Sequence, residues 1–456
     1  MDALTGYLEQ HRDRFVEDLK ACLRIPSVSA KSEHKDDCRR CAEFLADQLR
    51  GLGMTCAEVI PTAGHAVVYA EWLGAPGKPT ALLYGHYDVQ PVEPLALWKT
   101  RPFEPELRDG KLFARGAVDD KGQVYMHLKA IEAHMKVNGR LPINLKVVIE
   151  GEEEVGSEHL AAFLRAERAR LDADVIVVSD TAMLGPDQPA LTYGLRGMVY
   201  TQIEVTGPRQ DLHSGHFGGA VQNPANALAT ILAGLKDADG RITVPGFYDA
   251  VRPLTDDERT MMKALPFDEK AYLAEAGAPA PFGETGFTTY ERMTSRPTLD
   301  VNGMWSGYTG EGSKTVLPSF AAAKVSMRLV ADQDPKALFE RFEQKVRALA
   351  PRGVTVKVID MHGAPPWVCD PTHPMLQAAR RALDRAWGKP VALIKEGGSI
   401  PVMATFAQTH PGLPAIMMGF GLDDDNVHAP NEKFSLSSYH GGTRSVAYLY
   451  EELARG

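Results

Sequence analysis

The sequence predicts an α/β fold: a discontinuous domain with a mostly parallel central sheet, interrupted by an inserted α+β domain. Strand-like apolar runs alternate with helical patterns up to residue 194, which is typical of layered α/β domains. Half-exposed strand patterns follow, and the alternation of helix and strand returns near the end of the chain. At 456 residues, the chain also exceeds the size of one ordinary domain.

The N-terminal segment is predicted to be helical. Apolar residues recur at helical spacing over residues 2–24, and Pro26 closes this pattern. A second helix is predicted over Asp36–Leu52, and it carries a C-x-x-C motif made of Cys38 and Cys41. Because a structural zinc site needs about four ligands and no second pair is present, we expect both thiols to be inert.

Buried strands of a parallel sheet are predicted next. Apolar runs at Ala81–Tyr84, Asn144–Glu150 and Val175–Ser179 alternate with helical patterns at Gln123–Lys136 and residues 159–170. In sheets of this kind, the groups that carry chemistry collect at the carboxyl ends of the strands. The charged residues that follow these apolar runs are His86, Glu152–Glu154 and Asp180.

Residues 195–366 are predicted to form the inserted α+β domain. Three strand patterns and two helix patterns there are typical of a β-α-β-β-α-β-like arrangement, a known α+β fold. These patterns lie at Val199–Val205, Asn223–Leu235, Ala321–Val330, Pro335–Leu349 and Val354–Ile359. Between them, residues 240–297 are rich in proline, glycine and charge and are predicted to be an elaborated region of loops and helices. The first domain is therefore expected to consist of residues 1–194 and 367–456.

Composition excludes several classes of function. The chain is 44% hydrophobic and 24% charged, as in soluble globular proteins. Its net charge of −9, with no long basic block, predicts no nucleic-acid partner, and no apolar run reaches membrane-spanning length. The charged N-terminus lacks the apolar core of a signal peptide, and five cysteines are an odd number. We therefore expect a cytoplasmic protein with reduced thiols.

Five separated pieces of the sequence carry groups that bind metals or move protons. His86 and Asp88 are an imidazole next to a carboxylate, a combination that suits a metal ligand and its orienting partner. Asp119 and Asp120 are adjacent carboxylates whose repulsion must be offset by cations or hydrogen bonds. The remaining pieces contain Glu152–Glu154, Asp180 and His428.

Each piece alone has an ordinary structural interpretation. A histidine after a strand is usually a structural residue held by hydrogen bonds, and a run of glutamates is usually part of the charged surface. An aspartate after a strand usually caps a helix. Two histidines and several carboxylates at predicted strand ends of one domain are better explained together. They predict a ligand set for two cations, an arrangement that suits hydrolysis.

These pieces resemble motifs of the M20 metallopeptidases, and most of all those of the cytosolic non-specific dipeptidase and carnosinase branch. The motifs are G-H-Y-D-V-Q-P, R-G-A-V-D-D-K-G, E-G-E-E-E-V-G-S-E, D-L-H-S-G, K-T-V-L-P, E-G-G-S-I-P and H-A-P-N-E. The seven motifs occur in this order between Gly85 and Glu432, and the resemblance runs over almost the whole chain, from about residue 10 to residue 450. The resemblance implies a catalytic domain of residues 1–194 and 367–456. It also implies that residues 195–366 form a lid and dimerisation domain, through which the protein is a homodimer.

The resemblance also implies two divalent metal ions per subunit, with zinc as the first choice and manganese or cobalt as alternatives. The implied ligands of one ion are His86, Asp119 and Asp180. Those of the other ion are Asp119, Glu154 and His428, so that Asp119 bridges the pair. The bond between Asp119 and Asp120 would be cis.

Further roles follow from the same resemblance. Glu153 is the implied general base, which activates a water molecule between the two ions, and Asp88 orients His86. The neighbouring Glu152 is an extra carboxylate that makes a shift of register by one residue the main alternative. His213 is implied to stabilise the oxyanion in the partner subunit's site. The implied substrate contacts are Arg328, Thr315, Gly398 and Ser399, whereas His127, His134, His159 and His216 match no motif and are interpreted as structural or surface residues.

The predicted function is that of a metallo-dipeptidase, a dinuclear hydrolase that cleaves the amide bond of dipeptides or short peptides. A second interpretation is an M20 amidohydrolase that removes the acyl group from N-acyl amino acids. A third is a binding or scaffold protein that keeps the fold without catalysis. The third would require the loss of Glu153 or of a metal ligand, and all of these residues are present.

Overall fold

The computed structural model describes residues 3–398 and 400–456. The chain divides into two compact units. The first unit comprises Met1–Tyr193, Cys369–Ile394 and Pro401–Gly456, and the second comprises Gly194–Val368 and Lys395–Ile400. The division at residues 193 and 368 lies within two residues of the boundaries expected from the sequence, whereas Lys395–Ile400 groups with the second unit.

Helices occur in both units. In the described part of the chain they are α1 (Ala3–Gln10), α2 (Arg12–Leu23), α3 (Lys35–Gly51), α4 (Lys121–Asn138), α5 (Leu160–Ala166), α6 (Ser214–Phe217), α7 (Pro224–Ala233), α8 (Asp256–Ala264), α9 (Glu269–Glu275), α10 (Thr289–Ser295), α11 (Pro335–Leu349), α12 (Pro374–Trp387), α13 (Pro401–Thr409) and α14 (Leu436–Arg455). Short 3-10 turns lie at Ser32–His34, Leu95–Leu97, Glu153–Val155 and Asp423–Asp425.

Within the described residues, the strands are distributed over four sheets. They are β1 (Cys56–Ile60), β2 (Val67–Trp72), β3 (Thr80–His86), β4 (Glu106–Arg108), β5 (Lys111–Phe113), β6 (Asn144–Glu150), β7 (Val175–Val178), β8 (Ala190–Leu195), β9 (Gly197–Thr206), β10 (Leu212–His213), β11 (Thr298–Ser306), β12 (Val316–Leu317), β13 (Phe320–Leu329), β14 (Thr355–Ala364), β15 (Trp367–Val368), β16 (Ala392–Glu396), β17 (Ala415–Met417) and β18 (Lys433–Ser435).

The largest sheet has the strand order β1-β2-β6-β3-β7-β17-β8-β15, with β16 beside β8. Its central strands, β6, β3, β7 and β17, pair in parallel, whereas the pairs β1-β2, β2-β6, β17-β8 and β8-β15 are antiparallel. The predicted α/β class is therefore confirmed, with the parallel part confined to the centre. A small antiparallel sheet, β18-β5-β4, completes the first unit.

The central strands are buried because they are almost continuously apolar. In β3 every residue after Thr80 is buried, and β7 is buried throughout. Helix α4 is buried from Lys121 to His134, which explains why its apolar residues do not form a single stripe. The parallel strands end together at one edge, where His86 is opposite Glu150 in the register of β3 and β6.

The second unit contains a four-stranded antiparallel sheet of order β11-β13-β9-β14. Along the chain, its strands and helices follow the order β9-α7-β11-β13-α11-β14. This agrees with the β-α-β-β-α-β-like pattern of the sequence, but β11 was not among the strands that the sequence predicted. Alternate residues of β9 are buried. The core on that face includes Ile231 of α7, Phe342 of α11 and Val325 of β13. Helices α8, α9 and α10 lie in the segment predicted to be loops and helices.

The N-terminal prediction differs in one respect, because the single helix expected over residues 2–24 is two helices that meet at His11. The His11 ring nitrogen Nδ1 lies 2.8 Å from the carbonyl oxygen of Tyr7, which also accepts the backbone N–H of His11 at 3.2 Å. The side chain therefore competes with the backbone for the same acceptor at the break. No helix in the described residues is long and apolar enough to cross a membrane.

Candidate metal centre

Two groups of side chains in the first unit are arranged so that each could hold a metal ion. The first group is His86, Asp119 and Asp180, and the second group is Asp119, Glu154 and His428. Within each group, one ligand atom per residue lies within 4.8 Å of the others. Asp119 belongs to both groups, so the structure brings together all five residues that the sequence analysis proposed as ligands.

His86 is held at the end of β3, where it is fully buried. Its Nδ1 is 3.1 Å from the carbonyl oxygen of Asp88 and 3.4 Å from the Asp88 carboxylate. Its Nε2 faces Asp119 Oδ1 at 3.2 Å and Asp180 Oδ2 at 3.9 Å. Nε2 makes no hydrogen bond with either of them, which is unusual for a buried nitrogen. A cation between Nε2 and the two carboxylates would satisfy it.

Asp88 does more than contact His86. Its carboxylate accepts hydrogen bonds from the backbone N–H groups of Glu153 and Glu154, at 3.2 and 3.1 Å, and from the Ser29 hydroxyl at 2.7 Å. The turn Glu153–Val155 follows the end of β6, so Asp88 joins the ends of two neighbouring parallel strands. Asp88 thereby fixes both the imidazole and the turn that carries two of the proposed functional carboxylates.

His428 completes the second group from a loop near the C-terminus. Its Nε2 lies 2.9 Å from Asp119 Oδ2 and 3.1 Å from Glu154 Oε2. The backbone of His428 has a φ of 61°, in the left-handed region. Glu154 is held on its other side by Gln90, whose Nε2 donates to Glu154 Oε2 at 2.7 Å. The His428 side chain is half exposed, whereas the first group is more deeply buried.

The crowded carboxylates of the site shift the pKa values of their neighbours. Burial, with nearby Asp120, Asp119 and Glu153, raises the pKa of Asp180 well above its ordinary value. Hydrogen bonds to Asp119 and Glu154 raise the pKa of His428 to about 10. A concentration of carboxylates of this kind is stabilised by bound divalent ions.

Glu153 lies on the same turn but belongs to neither ligand group. Burial, with the negative charges of Asp119, Glu154 and Asp88, raises its pKa to about 7, and His86 acts in the opposite direction. A carboxyl group with a pKa near neutral can accept and then return a proton. This is the property that a general base requires at this position.

The donor chemistry of both groups fits divalent cations. Each group offers one imidazole nitrogen and carboxylate oxygens, a set that zinc, manganese and cobalt all accept. The peptide bond between Asp119 and Asp120 is cis, as the resemblance implied. The cysteines of the C-x-x-C motif are buried in α3 with free thiols, and no cysteine belongs to a metal-binding group in the described chain.

The structure also separates the three neighbouring glutamates by their partners. Glu152 is paired with His159, whose Nδ1 is 2.9 Å from Glu152 Oε2. The position of Gly64 leaves room for this pair, since a Cβ there would meet Glu152 Oε1 at 1.8 Å. Glu152 is therefore engaged elsewhere, and Glu154 is the member of the run that lies beside Asp119 and His428.

Two residues of the site received no role in the sequence analysis. Glu432 and Arg115 form a fully buried ion pair of 2.8 Å, and Glu432 also accepts the backbone N–H of Asp119 at 3.2 Å. Burial raises the pKa of Glu432, and Arg115 opposes this shift. Glu432 ends the H-A-P-N-E motif and Arg115 begins R-G-A-V-D-D, so both were within quoted motifs. Their pairing joins distant parts of the sequence, which spacing alone does not indicate.

The other predicted site residues lie in the second unit. His213 of β10 is exposed and pairs with Val316, next to Thr315. Its Nδ1 accepts the backbone N–H of Gly215 at 3.1 Å, and its ring stacks on His216. The pairing of β10 with β12 joins the D-L-H-S-G and K-T-V-L-P motifs and places His213 near Thr315.

Arg328 of β13 lines a cavity of about 570 Å³ in the second unit, together with Arg196. Burial, followed by the charge of Arg328, lowers the pKa of Arg196 to about 10. Arg196 also donates from Nε to the carbonyl oxygen of Gly397 at 2.9 Å, next to the exposed Gly398. Ser399, the last of the proposed substrate contacts, lies outside the described residues.

The histidines without a motif are held by ordinary contacts. His127 is fully buried between Ser179 Oγ at 2.8 Å and the Tyr450 hydroxyl at 3.2 Å. His134 is buried and lies 2.9 Å from the carbonyl oxygen of Ala447. Neither residue belongs to a candidate ligand group among the described residues.

The chain is similar to known proteins over most of its length. A family model described as Peptidase family M20/M25/M40 matches residues 82–452, a range that contains all five candidate ligands. The chain is 35% identical to the Cys-Gly metallodipeptidase DUG1 of Candida albicans, with 99% of this chain and 97% of that protein covered. It is 32% identical to the Beta-Ala-His dipeptidase of Homo sapiens, with 100% and 93% covered.

A solved structure agrees with these relatives. The M20 family metallo-carboxypeptidase Sso-CP2 from Sulfolobus solfataricus superposes with a TM-score of 0.83 at 31% identity. The match covers 97% of this chain and 99% of that one. The likeness therefore extends over both compact units.

Proposed function

Because this chain is a member of peptidase family M20/M25/M40, we propose that it is a dinuclear metallo-dipeptidase that cleaves the amide bond of dipeptides or short peptides. The family and the enzyme class, a metallopeptidase, are confirmed predictions. The observation that carries the finer proposal is the pair of ligand groups that share Asp119. The names of the relatives support dipeptides as substrates.

In this proposal, His86, Asp119 and Asp180 hold one divalent ion, and Asp119, Glu154 and His428 hold the other. Zinc is the first choice, and manganese and cobalt are the alternatives. When bound, two such ions polarise a carbonyl group and lower the pKa of a water molecule. The remaining chemistry is assigned to side chains of the protein itself.

Glu153 is proposed to take the proton from the attacking water and to pass it to the leaving amine. Its burial, which raises its pKa, and its position on the turn held by Asp88 support this role. Asp88 holds both the His86 imidazole and the turn in position. Glu153, Asp88 and His86 all belong to the first unit.

The second unit is proposed to supply the substrate contacts. A guanidinium group binds a carboxylate through two parallel hydrogen bonds, which supports Arg328 as the residue that binds the terminal carboxylate of a peptide. Thr315, Gly398 and Ser399 are proposed as further contacts. His213, an exposed imidazole beside Thr315, is proposed to stabilise the oxyanion in the site of the partner subunit.

That role of His213 requires a homodimer formed through the second unit. Strand β11 is an edge of the four-stranded sheet and exposes Val301, Met304 and Trp305. Edge strands with exposed apolar side chains are candidates for pairing with another chain, which supports the proposed dimer. A fully active monomer in sedimentation velocity and kinetic assays would contradict the role of His213. A cytoplasmic location is also proposed, supported by the free thiols of the described cysteines.

The test is a substrate panel on protein reconstituted with each metal. Free dipeptides should be hydrolysed and N-acyl amino acids should not, whereas the reverse result would favour a deacylase. Glu153→Gln should lower kcat by at least about 100-fold while both metal ions stay bound, because the residue acts in proton transfer and lies in neither ligand group.

The matched control is Glu152→Gln, the same change at the preceding position. Glu152 is engaged with His159, so this variant should keep kcat within a few-fold of the native value. A reversed result, in which Glu152→Gln is inactive and Glu153→Gln is active, would show that the assignment of the general base is wrong by one residue.

A further inference from the structure

Glu432 is a fully buried carboxylate four residues after His428, and both of its oxygens are used. Oε2 accepts from Arg115 Nη1 at 2.8 Å and from the backbone N–H of Gly116 at 2.9 Å. Oε1 accepts from the backbone N–H groups of Val118 and Asp119, at 3.0 and 3.2 Å. A single side chain therefore satisfies four donors.

These four donors belong to one short segment, residues 115–119, which ends at the shared ligand Asp119. Glu432 itself lies on the loop that carries His428. The two loops are 313 residues apart in the sequence, yet His428 Nε2 is 2.9 Å from Asp119 Oδ2. The hydrogen bonds of Glu432 thus join the backbone of Asp119 to the loop of His428.

Arg115 extends this connection to a third loop. Its Nη2 donates to the carbonyl oxygen of Pro91 at 3.1 Å, and its guanidinium lies 5.5 Å from the centre of the Trp98 ring. The Arg115 side chain is 1% exposed. Buried ion pairs often add little net stability, because desolvation offsets the attraction between the charges. The geometry here suggests that the pair serves to fix positions.

We propose that Glu432 is a positioning residue for the second metal ion, whose ligands are Asp119, Glu154 and His428. The inference rests on the proposed function only in requiring that this group binds a cation. By holding the two loops together before binding, Glu432 removes the entropic cost of bringing His428 to Asp119. Replacing a group that orients a metal ligand in this way typically weakens metal binding by about 10- to 100-fold.

The first test is Glu432→Gln. The amide of glutamine has only one acceptor oxygen, so two of the four donors would face an NH₂ group and lose their acceptor. We expect Zn²⁺ at the second group to bind about 10- to 100-fold more weakly. Binding at the first group should weaken less than binding at the second, because the first group shares Asp119 but takes no ligand from the loop that Glu432 joins to it. Competition with a chromophoric zinc chelator resolves the two affinities.

A second variant keeps the test valid if Glu432→Gln does not fold. Arg115→Lys retains the charge but loses the planar fork, so it should weaken the second affinity by less than Glu432→Gln does. Circular dichroism and thermal unfolding of the metal-free protein show which variants are folded. The affinities are compared only among folded variants, and Arg115→Lys decides the question when Glu432→Gln is unfolded.

The matched control is Glu132→Gln. Glu132 is also a buried carboxylate of the first unit, and it is bonded to Arg14, Lys129 and the Tyr7 hydroxyl. None of these partners belongs to a ligand group. This variant should lose stability and keep both native affinities, which separates positioning from a general effect of a buried amide.

The outcomes are distinct. Folded Glu432→Gln, or folded Arg115→Lys in its place, with native affinity at the second group would overturn the inference. Equal weakening by Glu132→Gln would overturn it as well. If the native protein itself bound no pair of Zn²⁺ ions, the proposed function would fail, and this result is independent of any variant.

Discussion

His127 should make the free energy of unfolding depend on pH in the acid range. Burial lowers its pKa from 6.5 to about 3, so the folded protein keeps a neutral ring between Ser179 and Tyr450. The unfolded chain takes up a proton at its ordinary pKa. Since the pKa is lower in the folded state, the contribution of His127 is complete above pH 6.5 and is lost as the pH falls toward 3.

The magnitude follows from the difference between the two pKa values. At pH 5, which is about 1.5 pH units below the ordinary pKa of 6.5, His127 is protonated in the unfolded state and neutral in the folded state. At 1.36 kcal/mol per unit, this costs about 2 kcal/mol of unfolding free energy relative to pH 8. Replacement of His127 by glutamine removes the titration, because an amide is neutral at both pH values.

The assay is urea denaturation of both proteins at pH 8 and pH 5, with a chelator present so that metal release does not contribute. The native protein should lose about 2 kcal/mol more between the two pH values than His127→Gln does. The other titrating groups are the same in both proteins and cancel in this comparison. Equal losses would show that His127 is not kept neutral by burial, and the reasoning would be wrong.

Two further predictions concern packing. Gly122→Ala should lower the unfolding free energy by about 3 kcal/mol, because a Cβ would lie 1.8 Å from the carbonyl oxygen of Ala117. Gly6→Ala is the control, since α1 leaves open space there, and it should be neutral or stabilising in thermal unfolding. Phe342→Ala should cost the second unit about 3–5 kcal/mol by leaving a cavity in a fully buried position, measured by denaturant titration, and a loss under 1 kcal/mol would contradict its place in the core.

Much of the fold could be predicted because its strands are chemically distinct. The apolar runs before His86 and Asp180 are buried central strands of the sheet. Functional residues usually lie at the carboxyl ends of such strands, so the sequence predicted that these two residues lie at the same edge, as they do. His428 does not follow a strand directly, and its loop carries a 3-10 turn and a left-handed backbone. The sequence had included His428 in the ligand set as a residue at a predicted strand end, whereas its specific place beside Asp119 was implied by the motif resemblance.

Contacts between distant parts of the chain could not be predicted. The role of Glu432 depends on backbone donors more than 300 residues away, and hydrogen bonds of that kind leave no periodic pattern. The pairing of Glu152 with His159 likewise depends on the space left by Gly64. The break at His11 was missed because apolar spacing continues through it, while the competing bond of its side chain does not affect that spacing.

The most direct test of the metal centre is to count bound ions in the native protein and in Asp119→Asn. Each protein is equilibrated with Zn²⁺, dialysed, and measured by inductively coupled plasma mass spectrometry. The native chain should hold two ions, and Asp119→Asn should lose most of both, because Asp119 is the ligand common to the two groups. A native chain that holds a single ion, or an Asp119→Asn variant that keeps two, would contradict the account.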